Sequence, residues 1–209
     1  MSSPQPILQR KDLIRDSAYI NGLWVKESEQ HFDVTDPATN QVIAQLPDQS
    51  VSAVNDAIDA AYEAFHTYKN TTPRQRAIWL RNFYNLMLEN INDLGQILTW
   101  ENGKALADSV GEIRYAASYF EWYAEEAPRV YGTVIQPGNA GNRAFTIKQP
   151  IGVCGLICPW NFPSAMITRK AAAALAAGCT VVIKPDAQTP LSALALAALA
   201  EEAGFPKGA

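Results

Sequence analysis

Two short stretches near the carboxyl end combine chemically useful side chains with backbones stiffened by proline. They are Cys158-Pro159-Trp160-Asn161-Phe162-Pro163 and Lys184-Pro185-Asp186-Ala187-Gln188-Thr189-Pro190. Asn161 offers two amide N–H donors, suited to stabilising an oxyanion as it develops. Lys184 is a cation that could donate to a ribose hydroxyl or a phosphate. Each has a plainer reading, which the pattern alone favours: Asn161 as the cap of the next helix, Lys184 as a solvated lysine at a strand end.

Other candidates fall away. Cys154 and Cys158 are four residues apart on a predicted strand, on one face but about 13 Å apart at strand rise. They cannot share one zinc ion, and no second Cys/His pair completes a site. Cys179 follows a glycine that ends a helix. Nothing points to a lowered thiol pKa, and all three cysteines are read as small core residues. His31 and His66, in polar stretches, are the two histidines, so no Ser/His/Asp or Cys/His set assembles. Gly152 and Gly155 lie inside a strand rather than after it, so the G-x-G-x-x-G fingerprint is missing, as is a P-loop.

The elements that must carry the two stretches are legible. Residues 152–158 and 180–184 read as buried strands, each followed by an Ala/Leu-rich helix: one over 164–177 closed by Gly178, the next capped by Thr189 with Pro190 at its first position and ended by Gly204. Strand–helix–strand–helix order predicts parallel strands, and ligands of open parallel sheets sit beyond the strands' carboxyl ends, where both stretches lie. Two strands make only part of such a sheet, so this is half of a nucleotide-binding domain.

Upstream, Asn21-Gly22 between short apolar runs predicts a hairpin, and Asp36-Pro37 with Thr39-Asn40 another turn. Ser50 or Ser52 caps a helix with Val54, Ile58, Ala61 and Phe65 on its inner face. Thr72-Pro73-Arg74-Gln75 opens one long helix that runs through Leu80, Phe83, Met87, Ile91, Leu94 and Leu98 towards Gly103. A third helix spans about Asp108 to Ala127. Its stripe of Tyr115, Tyr119, Phe120, Trp122 and Tyr123 has helical spacing and is read as packing against neighbouring helices. Residues 129–150 read as extended, with one face wet or meeting a partner.

Composition bounds the answer. The 209 residues carry a formal charge of −4, which argues against a nucleic-acid partner. Three cysteines fit a reducing compartment, and the cytoplasm is expected: no apolar signal core is present, and acids interleave the first basic residues. Residues 149–168 are uncharged over about a membrane-spanning length, but three prolines rule out one continuous helix, so no membrane is involved. Of the 38 charged residues, only seven fall after residue 148, so the last part reads as the inside of something larger.

Taken with Asp36-Pro37, Glu101-Asn102-Gly103-Lys104 and Gly204-Phe205-Pro206, the two stretches resemble the N-terminal part of the NAD(P)-dependent aldehyde dehydrogenase superfamily over nearly the whole chain. Ala165-Met166-Ile167-Thr168-Arg169-Lys170 and Tyr119-Phe120-Glu121-Trp122-Tyr123-Ala124-Glu125 are similar to its succinate-semialdehyde dehydrogenases, the fungal ones in particular. The resemblance implies an α/β fold, with an N-terminal helical part of the cofactor domain over 1–128. An extended β segment for oligomerisation follows over 129–150, then the first βαβα of a Rossmann-like sheet over 151–209. It implies that Asn161 completes an oxyanion hole. Cys158, Pro159, Trp160 and Asn161 would line the nicotinamide side, and Lys184, Pro185, Asp186 and Ala187 the ribose side. Arg169 would hold the carboxylate of a small aldehyde, against a plainer reading as a solvated helix residue.

Two departures matter. NAD-preferring relatives often carry glutamate three residues after the lysine; Ala187 stands there, so NADP is expected, with NAD possible as well. The resemblance also puts the nucleophilic cysteine and its glutamate base beyond residue 209. The chain alone is therefore expected to be inactive. It is either a piece of a homo-oligomeric dehydrogenase of 4-aminobutyrate breakdown or a non-catalytic subunit that modulates one.

Overall fold

The structure, a computed structural model, describes residues 5–209. The Asn-Gly pair makes its hairpin: Asn21 and Gly22 both take positive φ, 51° and 75°, as a two-residue turn between antiparallel strands requires. The strands are β1 (Ala18–Ile20) and β2 (Leu23–Val25), and a second antiparallel pair follows, β3 (Gln30–Asp36) and β4 (Gln41–Asp48).

Four helices come next. In α1 (Val51–Tyr68) the Ser50 hydroxyl accepts from the Ala53 N–H at 3.2 Å, a side-chain cap. The inner face differs from the expectation. Val54 and Ile58 are exposed, while Ala61 and Tyr68 are buried. Small residues let the α1 backbone approach the parallel sheet closely, and the Thr180 hydroxyl donates to the Ala61 carbonyl at 2.8 Å.

The long helix expected from Thr72 is two helices, α2 (Pro73–Glu89) and α3 (Ile91–Asn102). Asn90 leaves helical geometry at the junction (φ −105°, ψ 19°), and both its backbone N–H and its side-chain amide donate to the Leu86 carbonyl, at 3.1 and 2.8 Å. Apolar periodicity runs through the break because both helices bury the same side, Leu80, Phe83 and Met87 in one, Leu94 and Leu98 in the other.

The third helix, α4 (Leu106–Glu126), packs on α2, α3 and the later Pro163–Ala177 helix. Phe120 meets Phe83 edge-on at 4.4 Å between ring centroids. The aromatic stripe does not all pack: Tyr115 and Trp122 are exposed, because five aromatics in nine positions exceed the width of one helix face.

Residues 129–150 are mostly irregular, with a two-residue antiparallel pair, β5 (Val134–Ile135) and β6 (Ala144–Phe145). Val134 is 87% exposed and Phe145 74%.

The last section is β7 (Val153–Ile157), α5 (Pro163–Ala177), β8 (Thr180–Lys184) and α6 (Pro190–Glu202). The strands pair in parallel, from Val153 opposite Thr180 to Ile157 opposite Lys184. They were expected to be buried, yet Gly155, Ile157, Ile183 and Lys184 are exposed, since among the described residues the sheet has only these two strands. The far end of α5 is tied down by the buried Arg76, whose Nε donates to the Ala176 carbonyl at 2.9 Å. Tyr68 donates to the Leu175 carbonyl at 3.1 Å.

Gly103 ends α3 with φ 79°, and a Cβ built on it would stand 2.6 Å from Pro37 Cγ. Replacing Gly103 by Ala forces both a left-handed alanine and a clash. The variant should lose about 1–2 kcal/mol or more of unfolding free energy, read as a lower urea midpoint at unchanged m-value.

Candidate active site at the carboxyl ends of the parallel strands

Register alone brings the two proline-stiffened stretches together. Ile157 and Lys184 are partners at the ends of β7 and β8, and the Cys158 N–H continues the ladder to the Lys184 carbonyl at 3.0 Å. The loops 158–162 and 185–189 therefore start side by side.

The first loop is held from behind. Asn102 Nδ2 donates to the Trp160 carbonyl at 2.8 Å, and Lys104 Nζ to the Asn161 carbonyl at 3.1 Å. The Lys104 ammonium also lies 3.9 Å from the centroid of the Phe162 ring. The expected capping role of Asn161 is overturned. The first N–H groups of α5, those of Ser164 and Ala165, go to Glu112 Oε1 at 3.0 and 3.3 Å. Asn161 precedes the capping position, and no hydrogen bond from its side-chain amide to the described residues is formed. Trp160 is about half exposed beside it.

Cys158 is buried, its Sγ 3.4 Å from the Met166 carbonyl. Burial pushes its thiol up, and nearby Lys170 only partly offsets this. Burial also raises the Cys154 thiol. Neither carries the depressed pKa of an attacking thiolate.

In the second loop Lys184 is exposed, and Nζ reaches only the neighbouring Pro185 carbonyl at 3.5 Å. Asp186 is occupied with its own turn: Oδ1 accepts from the Gln188 N–H at 3.0 Å. Ala187 is exposed. Thr189 occupies the capping position of α6, but its hydroxyl is buried and bonds nothing. The cap comes from α3 instead: Glu101 Oε2 accepts from the Leu191 N–H at 2.6 Å and Oε1 from the Ser192 N–H at 2.7 Å.

Arg169 lies six residues beyond Pro163, about 9 Å of helix rise, and faces α4 rather than open solvent. Its Nη2 donates to the Tyr115 hydroxyl at 3.1 Å, and the guanidinium lies 5.3 Å from the Tyr119 ring centroid. The exposed ends of the aromatic stripe thus hold a cation, which the packing reading missed.

Residues 24–209 match the sequence model of the aldehyde dehydrogenase family. The chain belongs to this family. It is 70% identical over 98% of its length to a succinate-semialdehyde dehydrogenase [NADP(+)] of Saccharomyces cerevisiae, covering 41% of that protein. It is 51% identical over 96% of its length to a glutarate-semialdehyde dehydrogenase of Pseudomonas aeruginosa, covering 42%. Among solved structures it superposes on an aldehyde dehydrogenase from Brucella melitensis biovar abortus 2308 with a TM-score of 0.96, at 46% identity, covering 98% of this chain and 42% of that one. The chain thus spans about two fifths of the length of the curated relatives it matches. Its α/β architecture is that of the N-terminal part of the family's structures.

The family's nicotinamide cofactor can be tested against these residues. A phosphate-bearing ribose needs an available cation and no opposing carboxylate, and Lys184 with Ala187 meets both conditions, Asp186 being turned into its loop. Sequence reasoning uses Glu101, Asn102 and Lys104 only as part of the resemblance and passes over Glu112; it gives none of them the role of holding the two loops. A signal was available: Glu112 shares a helix face with Ala116 and Phe120, and Glu101 with Leu94 and Leu98, so each is an acid on an otherwise apolar stripe.

Complete burial pushes the Glu101 carboxyl up to about 8, although the Ser192 and Leu191 groups pull it down, and Glu112 adds to the rise. A carboxyl raised above its free value, about 4.3, binds a proton more tightly when folded. Its contribution to stability is therefore complete below about pH 4 and lost as the pH climbs through about 8. Unfolding free energy measured in urea should fall from pH 5 to 8, and Glu101→Gln should flatten that fall.

Proposed function

We propose that this chain is the N-terminal part of an NADP-accepting dehydrogenase that oxidises succinate semialdehyde to succinate in 4-aminobutyrate breakdown. The observation that carries the reading is the Asn161 carboxamide, relieved of helix capping by Glu112 and presented at the end of β7 by a loop fixed from behind. Both curated relatives described above are named for ω-carboxy aldehydes. Arg169, already ordered by Tyr115, is suited to hold such a carboxylate.

On this reading Asn161 donates to the aldehyde oxygen as negative charge grows there. Cys158, Pro159 and Trp160 form the nicotinamide side of the pocket, and Lys184, Pro185, Asp186 and Ala187 the ribose side. NADP, with NAD as a possible substitute, supplies the hydride acceptor when bound. The attacking thiol is none of Cys154, Cys158 and Cys179, and belongs to residues beyond 209. Residues 1–128, 129–150 and 151–209 serve as the helical part of the cofactor domain, an oligomerisation arm and the first half of the Rossmann-like sheet. The exposed Val134 and Phe145 support the arm, through which copies of the enzyme would associate. Three free cysteines fit a cytoplasmic setting. Among the described residues no helix is long and apolar enough to cross a membrane.

Steady-state kinetics of the full-length enzyme test this. With NADP, succinate semialdehyde should be preferred over uncharged aldehydes of similar size. Arg169→Ala should lower kcat/KM for the acidic substrate by about 10–100-fold, one charge-assisted contact, and leave uncharged aldehydes within about twofold. Equal losses on both would sink the carboxylate role. Ala187→Glu should cut kcat/KM for NADP at least tenfold and leave NAD less affected, because a carboxylate would then oppose the 2′-phosphate.

A further inference from the structure

The Lys104–Glu112 pair stands behind the loop that carries Asn161, the lysine touching that loop's backbone and the Phe162 ring. Glu112 is 1% exposed at its side chain and Lys104 17%, with Nζ and Oε2 2.5 Å apart. The pair joins two things that otherwise have no common support. Glu112 Oε1 holds the first turn of α5 through the Ser164 and Ala165 N–H groups. Lys104 Nζ holds the Asn161 carbonyl and lies on the Phe162 ring. Asn161 and Phe162 are thus clamped between a helix N-terminus and an ammonium that meet at one carboxylate. Removing the ammonium leaves Glu112 bonded to α5 but without its counter-charge, frees the Asn161 carbonyl and uncovers the Phe162 ring.

Resting on the proposed function, we infer that Lys104 and Glu112 are positioning residues that set the aim of the Asn161 side-chain amide towards the aldehyde oxygen. A displacement of about 1 Å at a positioned catalytic group can cost about 100-fold in rate, so a carbonyl tether one residue's backbone away from the amide is enough to matter. Fixing the carbonyl fixes the peptide plane that follows Asn161 and so restrains, through the ψ angle of Asn161, the direction of its Cα–Cβ bond.

A double-mutant cycle in the full-length enzyme tests this, using kcat/KM for succinate semialdehyde at saturating NADP. Asn161→Ala should lose about 100–1,000-fold, the range for one oxyanion donor. Lys104→Met should lose at least tenfold. The double variant should fall no more than about twofold below Asn161→Ala, because Lys104 acts through a side chain no longer there. A purely structural lysine predicts that the losses multiply, which would overturn the inference, as would Lys104→Met at parental kcat/KM. If Lys104→Met fails to fold, Glu112→Gln is read in the same cycle, since its carboxamide oxygen still accepts from α5 but no longer pairs with the ammonium. A second readout is independent of turnover: a crystal structure of the variant should show the Asn161 side chain displaced or in more than one conformer. The parental single conformer there would overturn the inference. Unchanged kcat/KM in Asn161→Ala would instead overturn the proposed function, and this inference with it.

Discussion

Two carboxylates have left water to meet helix N-termini, and the placement of both loops depends on them. Glu101 of α3 takes two N–H groups of α6, and Glu112 of α4 takes two of α5. A helix start carries unpaired donors and a partial positive charge, so a carboxylate there is stabilised twice. The two differ in their counter-charge. Glu112 has Lys104 against it, whereas Glu101 has only the N–H groups and feels Glu112 as a like charge. Desolvation at Glu101 outweighs the N–H groups that hold it, which is why that carboxyl is raised.

This arrangement ties chemistry to packing. The helices α5 and α6 begin where the strand-end loops finish, so whatever fixes their first turns fixes the loops. At its other end α5 is held by Arg76 on the Ala176 carbonyl, a cation at the negative pole. Opposite charges thus bracket one helix, both contributed by elements far away in sequence. Removing Arg76 would leave the Ala176 carbonyl without this donor, and removing Glu112 would leave the first N–H groups of α5 without their acceptor, each an unsatisfied polar group costing about 1–3 kcal/mol.

Local signals were read well where the decision is local. The Asn21-Gly22 turn, the Ser50 and Thr72 caps, the Gly178 stop and the parallel β7–β8 pair all follow from a few adjacent residues. Readings failed where the deciding group sits elsewhere. Asn161 and Thr189 are good capping types in capping neighbourhoods, and both are displaced by glutamates 49 and 88 residues upstream. Periodicity could not see Asn90, because α2 and α3 bury the same side. On α1 periodicity points to the larger side chains as the inner face, yet close approach to a sheet selects alanine. The largely apolar sequences of β7 and β8 read as strands covered on both faces, a state that two strands cannot give themselves. For the site, Asn161, Lys184 and Arg169 were legible as types, while the groups that hold them, Glu112 and Tyr115, were hidden in helix stripes read as ordinary packing.

The half-covered parallel pair has a practical consequence for handling these residues in isolation. Ile157 and Ile183 face solvent at the finish of two strands with open edges, and Phe145 and Val134 add apolar surface nearby in sequence. Unshielded backbone donors next to β-branched side chains recruit further strands from any chain that presents them. A preparation of residues 1–209 alone would therefore be colloidally fragile, prone to intermolecular strand addition at this edge well before its helical half lost order.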